Sequence, residues 1–180
     1  MCVIKKTLEH PKADREKRSV FCQKIREHKA QGRPIVFIDE SGFAHSMPRT
    51  HGYSVKGKGC FGVHDWGAKG RINVIGALLG SVLLTVSLFG TTVNTPVFGP
   101  WVIQDLIPKL PMHSVVVMDN ATFHKGQDMI KALQTARHTL LYLPPYSPDL
   151  NPIEKKWAQV KSMGRRLGWS VEELFQKDNP

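Results

Sequence analysis

The sequence predicts an α/β domain built on one mixed sheet covered by helices, and three observations carry that prediction. Two short runs, "PIVFI" at 34–38 and "SVVVM" at 114–118, are continuously apolar, as strands buried on both faces are. Between them, "INVIGALL", Gly80-Ser81 and "VLLTVSLF" read as two strands joined by a glycine-first hairpin turn. After the second run, stretches of helical spacing alternate with one more short strand. That order suits parallel strands with helices packed across them.

In order along the chain, residues 1–31 are a basic lead-in. Within it, "ADREKRSVFCQKIREHKA" places Phe21 and Ile25 on one face of a modest helix. Residues 32–180 form the main domain. It opens with the strand in "PIVFIDESGF" (34–43), followed by a Gly-rich basic stretch at 44–70, read as loop with a short extended piece. The hairpin occupies about 72–89. "TPVFGPWVIQDLIPKL" turns helical in its second half, with Trp101, Val102, Leu106 and Leu110 in step. "SVVVMDN" (114–120) is the second buried strand. "GQDMIKALQTAR" (126–137) is an amphipathic helix through Met129, Ile130 and Leu133, and "HTLLYLP" (138–144) a third short strand. "PIEKKWAQVKSMG" (152–164) is a helix with Ile153, Trp157 and Val160 on one stripe. "SVEELFQ" closes the chain behind a Ser170…Glu173 capping pattern. Strand, hairpin, helix, strand, helix, strand, helix is the element order of the ribonuclease H-like fold.

A chain of 180 residues, 41% hydrophobic and 22% charged, supports one soluble domain with its own core. The uncharged span between Arg71 and Asp105 has the length of a membrane helix, but Gly76, Gly80, Gly90 and frequent β-branched residues make it a hairpin instead. A net charge of +10 favours a polyanionic partner, of which nucleic acid is the commonest. Three cysteines without a pairing pattern, and no apolar leader behind Met1, point to a reducing cytoplasm and, with the charge, to the nucleoid.

Three acids mark the chemistry. Asp39 follows "IVFI", Asp119 follows "VVVM", and Glu154 stands at the start of the long final helix. Charges at the ends of buried strands emerge where open α/β sheets bind ligands. If the two strands are parallel neighbours, Asp39 and Asp119 lie about 5 Å apart by ladder spacing. Two such carboxylates with a third form an oxygen-donor cluster suited to Mg²⁺ or Mn²⁺, and two ions would serve in-line phosphoryl transfer. Each acid also has a bland reading. Asp39-Glu40-Ser41-Gly42 and Asp119-Asn120 are turn signals. Asn151 as N-cap, Pro152 at the first helical position and Glu154 two residues on make a capping box.

The motifs "IDESGF", "VMDNATFH" and "LPPYSPDLNPIEKKW", with 34 residues between Asp119 and Glu154, resemble the bacterial insertion-sequence transposases of the mariner-like DDE superfamily over about residues 33–165. The resemblance implies a metal-dependent enzyme that cuts double-stranded DNA at the ends of its element and joins the freed 3′ hydroxyl to target DNA. It makes Asp39, Asp119 and Glu154 the catalytic and metal-binding triad, with Asn120 and His124 as auxiliaries that support Asp119 or touch the DNA. Two element ends handled together make a homodimer a possible partner; such transposases usually carry a helix-turn-helix region, which is not evident in these residues and is expected either from a separately encoded half or to be missing from a truncated copy. A catalytically silent DNA-binding remnant and a ribonuclease H-type nuclease are the competing functions.

The acid-free run holding Lys155, Lys156, Lys161, Arg165 and Arg166 is the expected DNA-phosphate contact. Gly57, Gly59 and Gly62 spell G-x-G-x-x-G but lack the helix and ribose-binding acid of a dinucleotide site. His51, Cys60 and His64 fit no common zinc spacing.

Overall fold

A computed structural model describes residues 10–44, 55–58 and 70–176. The elements are α1 (Arg15–Ala30), β1 (Ile35–Ala44), β2 (Arg71–Leu79), β3 (Val82–Phe89), α2 (Thr95–Trp101), β4 (Val115–Met118), α3 (Gln127–Thr135), β5 (Thr139–Tyr142), α4 (Ile153–Leu167) and α5 (Val171–Gln176). Helical turns continue from α2 as a wide turn over Val102–Leu106 and a tight one over Ile107–Lys109. Pro100 lies inside this helical stretch, and Pro108 removes another backbone donor near its end. The helix expected in the second half of 95–110 therefore begins earlier and changes its winding.

The five strands form one sheet in the order β3-β2-β1-β4-β5. β1 pairs in parallel with β4, and β4 with β5, while the β1–β2 and β2–β3 pairs are antiparallel. The hairpin turns at Gly80-Ser81, where Gly80 takes φ +63°, the left-handed conformation that a glycine-first turn requires. The strands are apolar throughout because both faces are covered. On one face Val36, Ile38, Ile75, Ala77, Val116 and Met118 pack under α2 and α3 through Phe98, Trp101, Met129 and Leu133. On the other, Ile72, Val74 and Leu78 meet Ile153, Trp157 and Val160 of α4 and Val171 and Leu174 of α5. Val115 and Val117 on that side meet Phe21 and Ile25 of α1.

Caps and ties set the helices in place. Asp14 accepts hydrogen bonds from the amides of Glu16 and Lys17 at 3.0 and 3.2 Å at the start of α1. Arg18 of α1 grips Asp149 of the proline-rich loop through two hydrogen bonds of 2.9 and 2.6 Å. This bidentate pair anchors the loop that leads into α4. The Ser170…Glu173 capping box forms as its spacing predicts, with reciprocal bonds of 2.8 and 3.2 Å. The one proposed at Asn151 does not. No side chain caps α4, and Asn151 is buried with its Oδ1 unpartnered. Backbone carbonyls of Asn151 and Pro152 serve the first turn instead, leaving the Glu154 side chain uncommitted to a cap.

Candidate active site

Asp39 is not at the end of its strand. β1 continues to Ala44 because β2 partners it as far as Arg71, so the turn expected at Asp39-Glu40-Ser41-Gly42 is extended strand. What ends is the other neighbour. The parallel pairing of β1 with β4 closes at Phe37↔Val117, and β4 stops at Met118. Asp39 lies two residues beyond that last pair, level with Asp119, at the place where β1 outruns β4. A cleft opens there because the sheet has lost one strand while the other goes on.

Asp119 does sit at a strand end and does make the turn its sequence suggests: its Oδ1 accepts the Ala121 amide at 3.0 Å. The same oxygen lies 2.5 Å from Nδ1 of His124. His124 is 1% exposed, held between the rings of Phe98 and Phe123 at 4.2 Å from each. That hydrogen bond holds the Asp119 carboxyl below the usual carboxylate range, against the opposing effect of partial burial.

Glu154 comes from the exposed first turn of α4. Asp39, Asp119, Asn120 and Glu154 together line a cavity of about 320 Å³, walled on its far side by Pro144, Pro145, Tyr146 and Pro148. Burial pushes the Asp39 carboxyl up to about 7, and the Glu154 charge and, less strongly, the Asp119 charge push the same way. The Glu40 amide and the Trp157 indole oppose this by donating to the carboxylate. The Trp157 bond measures 3.1 Å, from Nε1 to Oδ2.

Three converging carboxylates, one kept partly protonated by its surroundings, are a donor set that a hard divalent cation would relieve. Their present spacing is open: among the described residues no group of three or more Asp, Glu, His or Cys side chains is already close enough to hold a metal. His51, Cys60, His64, Gly59, Gly62 and the extended piece expected within 44–70 lie mainly outside the described residues.

A family model described as a DDE superfamily endonuclease matches residues 34–173. The chain belongs to that family. No curated protein matches the sequence significantly. Among solved structures, the chain is similar to the Mos1 transposase paired-end complex with the left transposon end, with TM-score 0.70 and 21% identity over 91% of this chain and 53% of that one. A pre-cleavage Mos1 transpososome matches at TM-score 0.70 and 22% identity, over 98% of this chain and 57% of the other. The catalytic domain of the Mos1 mariner transposase alone matches at TM-score 0.60 and 19% identity, over 95% and 82%. This chain thus spans about half the length of the first two transposase chains. The shared architecture is the ribonuclease H-like fold, as the element order predicts. The family match begins one residue before β1 and runs into α5, so it takes in Asp39, Asp119 and Glu154.

The five cations expected at DNA all lie on α4 but are not equivalent. Lys155, Arg165 and Arg166 are exposed, and Lys156 is half-buried. Lys161 is drawn inward: its Nζ donates to Ser41 Oγ at 2.8 Å and lies 5.0 Å from the Phe43 ring centre. Burial, then the Arg71 charge, lower its pKa, while Glu154 and Asp39 raise it. Two contributors were invisible as such in the sequence. Trp157 reads as a core residue and proves also to be a ligand of Asp39. Ser41 reads as a turn residue and proves to hold Lys161. The alternation of β1 is the signal that finds both, since Asp39, Ser41 and Phe43 share the face turned to α4.

Proposed function

We propose that this chain is the catalytic part of a DNA transposase, cutting double-stranded DNA at the ends of its element and joining the freed 3′ hydroxyl to target DNA. The observation that carries the reading is the meeting of Asp39, Asp119 and Glu154 at one cavity, from the middle of β1, the end of β4 and the first turn of α4. The family membership, the net charge of +10 and the likeness to a transposase bound to transposon ends support it.

In the first step water attacks a phosphodiester at the element end, and the P–O3′ bond breaks to leave a 3′ hydroxyl. In the second, that hydroxyl attacks a target phosphodiester and displaces the target's own 3′ oxygen. Asp39, Asp119 and Glu154 would hold Mg²⁺ or Mn²⁺, two ions in all. Bound there, the ions supply activation of the attacking oxygen and stabilisation of the leaving one. The chain's other groups hold the carboxylates in place, the Trp157 indole on Asp39 and the His124 imidazole on Asp119. Asn120 lines the same cavity, and its part is to support Asp119 or to touch the DNA near the cleaved phosphate. Lys155, Lys156, Lys161, Arg165 and Arg166 neutralise phosphates along α4. Two DNA ends handled together call for a homodimer, and end recognition calls for a helix-turn-helix half beyond the residues of this domain.

The test is strand joining. The chain is incubated with a pre-nicked element end and supercoiled plasmid, with Mn²⁺ or EDTA, beside Asp119→Asn. Metal-dependent joined product from the parent alone supports the proposal. Cleavage without joining indicates a ribonuclease H-type nuclease, and DNA bound but never cut indicates a silent remnant.

A further inference from the structure

Two cations lie against the stretch of β1 that outruns β4. Lys161 reaches it from the α4 side and donates to Ser41. The second is Arg71, the first residue of β2, which pairs with Ala44 across the ladder. Side chains alternate along β1, so Gly42 belongs with Ile38 and Glu40 on the face turned away from Asp39 and Ser41. The Arg71 guanidinium lies over Gly42 on that face: a Cβ at residue 42 would collide with its Nε, Cζ and Nη2. Glycine weakens a strand interior and often marks a place where another group passes close. At Gly42 that group is the guanidinium.

Beyond it opens a polar cavity of about 390 Å³, lined by Glu40, Arg71, Asn73, Thr91 and Thr92 among others. Asn73 Nδ2 donates to the Thr91 carbonyl at 2.9 Å and so ties the loop after β3 to β2. Arg71 is exposed and Glu40 only half so, and an arriving anion meets the guanidinium before the carboxylate. Glu40 Oε2 accepts no hydrogen bond, so the guanidinium donors are not spent on it. The Arg71 charge is felt by Glu40, which also feels Asp119, and by Lys161 on the other face. The guanidinium is therefore within electrostatic reach of the catalytic end of the sheet. Two like charges held beside one strand are an arrangement that an anion relieves.

We propose that Arg71, seated over Gly42, binds a phosphodiester group of the DNA beside the bond that is cut, on the face of β1 turned away from the triad. Its planar fork offers two parallel N–H donors to two phosphate oxygens, and the hydroxyls of Thr91 and Thr92 line the rest of the cavity as further donors. Gly42 enables the site, because any side chain there turns the guanidinium out. The inference rests on the function proposed above for the identity of the polyanion.

The test is binding of the full chain to a duplex carrying the element end, titrated in EDTA at rising KCl so that nothing is cut. Arg71→Ala is expected to weaken binding about tenfold and to lower the salt slope by about 1. Arg71→Lys keeps the slope and recovers part of the affinity, since a point charge replaces the fork. Gly42→Ala leaves the net charge unchanged and is expected to weaken binding as well, at little cost in stability because the far end of a flexible side chain can move aside. In the Arg71→Ala background the alanine at 42 has room, so the double variant should bind and melt like Arg71→Ala alone. Parent affinity and parent salt slope in folded Arg71→Ala overturn the proposal. So does a double variant weaker than Arg71→Ala by the factor that Gly42→Ala costs the parent. Cleavage and joining by the parent are measured beside these. An active parent whose binding ignores Arg71 sinks the phosphate site alone, and an inactive parent whose binding depends on Arg71 sinks the transposase reading alone.

Discussion

The indole of Trp157 donates a 3.1 Å hydrogen bond from Nε1 to Oδ2 of Asp39, joining the centre of α4 to the middle of β1 across 118 residues of chain. The ring is 1% exposed and packs edge-on to Phe43, so one side chain serves both the core and the site. Trp157→Phe separates the two roles, keeping most of the bulk and losing the donor. Loss of that bond raises the Asp39 carboxyl further above about 7. The variant is expected to fold with a stability loss of about 1 kcal/mol. Its pH–rate profile for DNA cleavage should move to higher pH. An unchanged profile would show that the bond does not matter to the carboxylate.

Stability of the metal-free protein should fall as pH rises from about 4 to about 7. The Asp39 carboxyl titrates near 3.8 when unfolded and at about 7 when folded. Over that window the native state holds a proton that the unfolded chain has released. Stability from this group is therefore complete below the unfolded value and lost as pH climbs through the folded one. The whole effect is up to about 4 kcal/mol. Asp39→Asn removes it while keeping an acceptor for Trp157, so the variant should melt above the parent at pH 8 and near it at pH 4. Thermal melts at the two pH values check this.

Gly76 pairs with Asp39 across the β1–β2 ladder, and a Cβ there would stand 2.6 Å from the Trp157 ring. Gly76→Ala must push the indole out of place and, with it, the donor to Asp39. A destabilisation of about 1–3 kcal/mol is expected, the usual cost of overpacking a filled core. Cleavage should drop more than stability explains, which rate measurements well below the melting temperature will show.

Lys161 should behave differently from the other cations of α4. Lys155→Ala removes an exposed charge and should weaken DNA binding at all sequences, lowering the salt slope by about 1. Lys161→Ala should do the same and in addition lower kcat, because the ammonium held by Ser41 lies near the charges of Glu154 and Asp39. Equal effects of the two variants on kcat would place Lys161 with the ordinary surface cations.

The sequence by itself determined the elements and most of their partners. Apolar runs long enough for only one strand each, Gly80 at the hairpin, and a stripe of Ile153, Trp157 and Val160 are local signals, and each is realised. It also marked Asp39 and Asp119, each directly behind a buried apolar run, because a charge is costly inside such a run; only Asp119 lies at a strand end, while Asp39 lies within β1. Its errors were local rules overruled by distant partners. The turn signal at Asp39-Glu40-Ser41-Gly42 lost to β2, whose antiparallel ladder holds β1 extended to Ala44. The cap at Asn151 lost to burial of that side chain beneath the proline loop. Only the tertiary structure decided which side chains serve the acids. Whether Trp157 reaches Asp39, or His124 reaches Asp119, depends on the register of two strands and the angle at which α4 and the turn after β4 cross them. Those quantities are set by packing between segments far apart in the chain, and no window of sequence contains them.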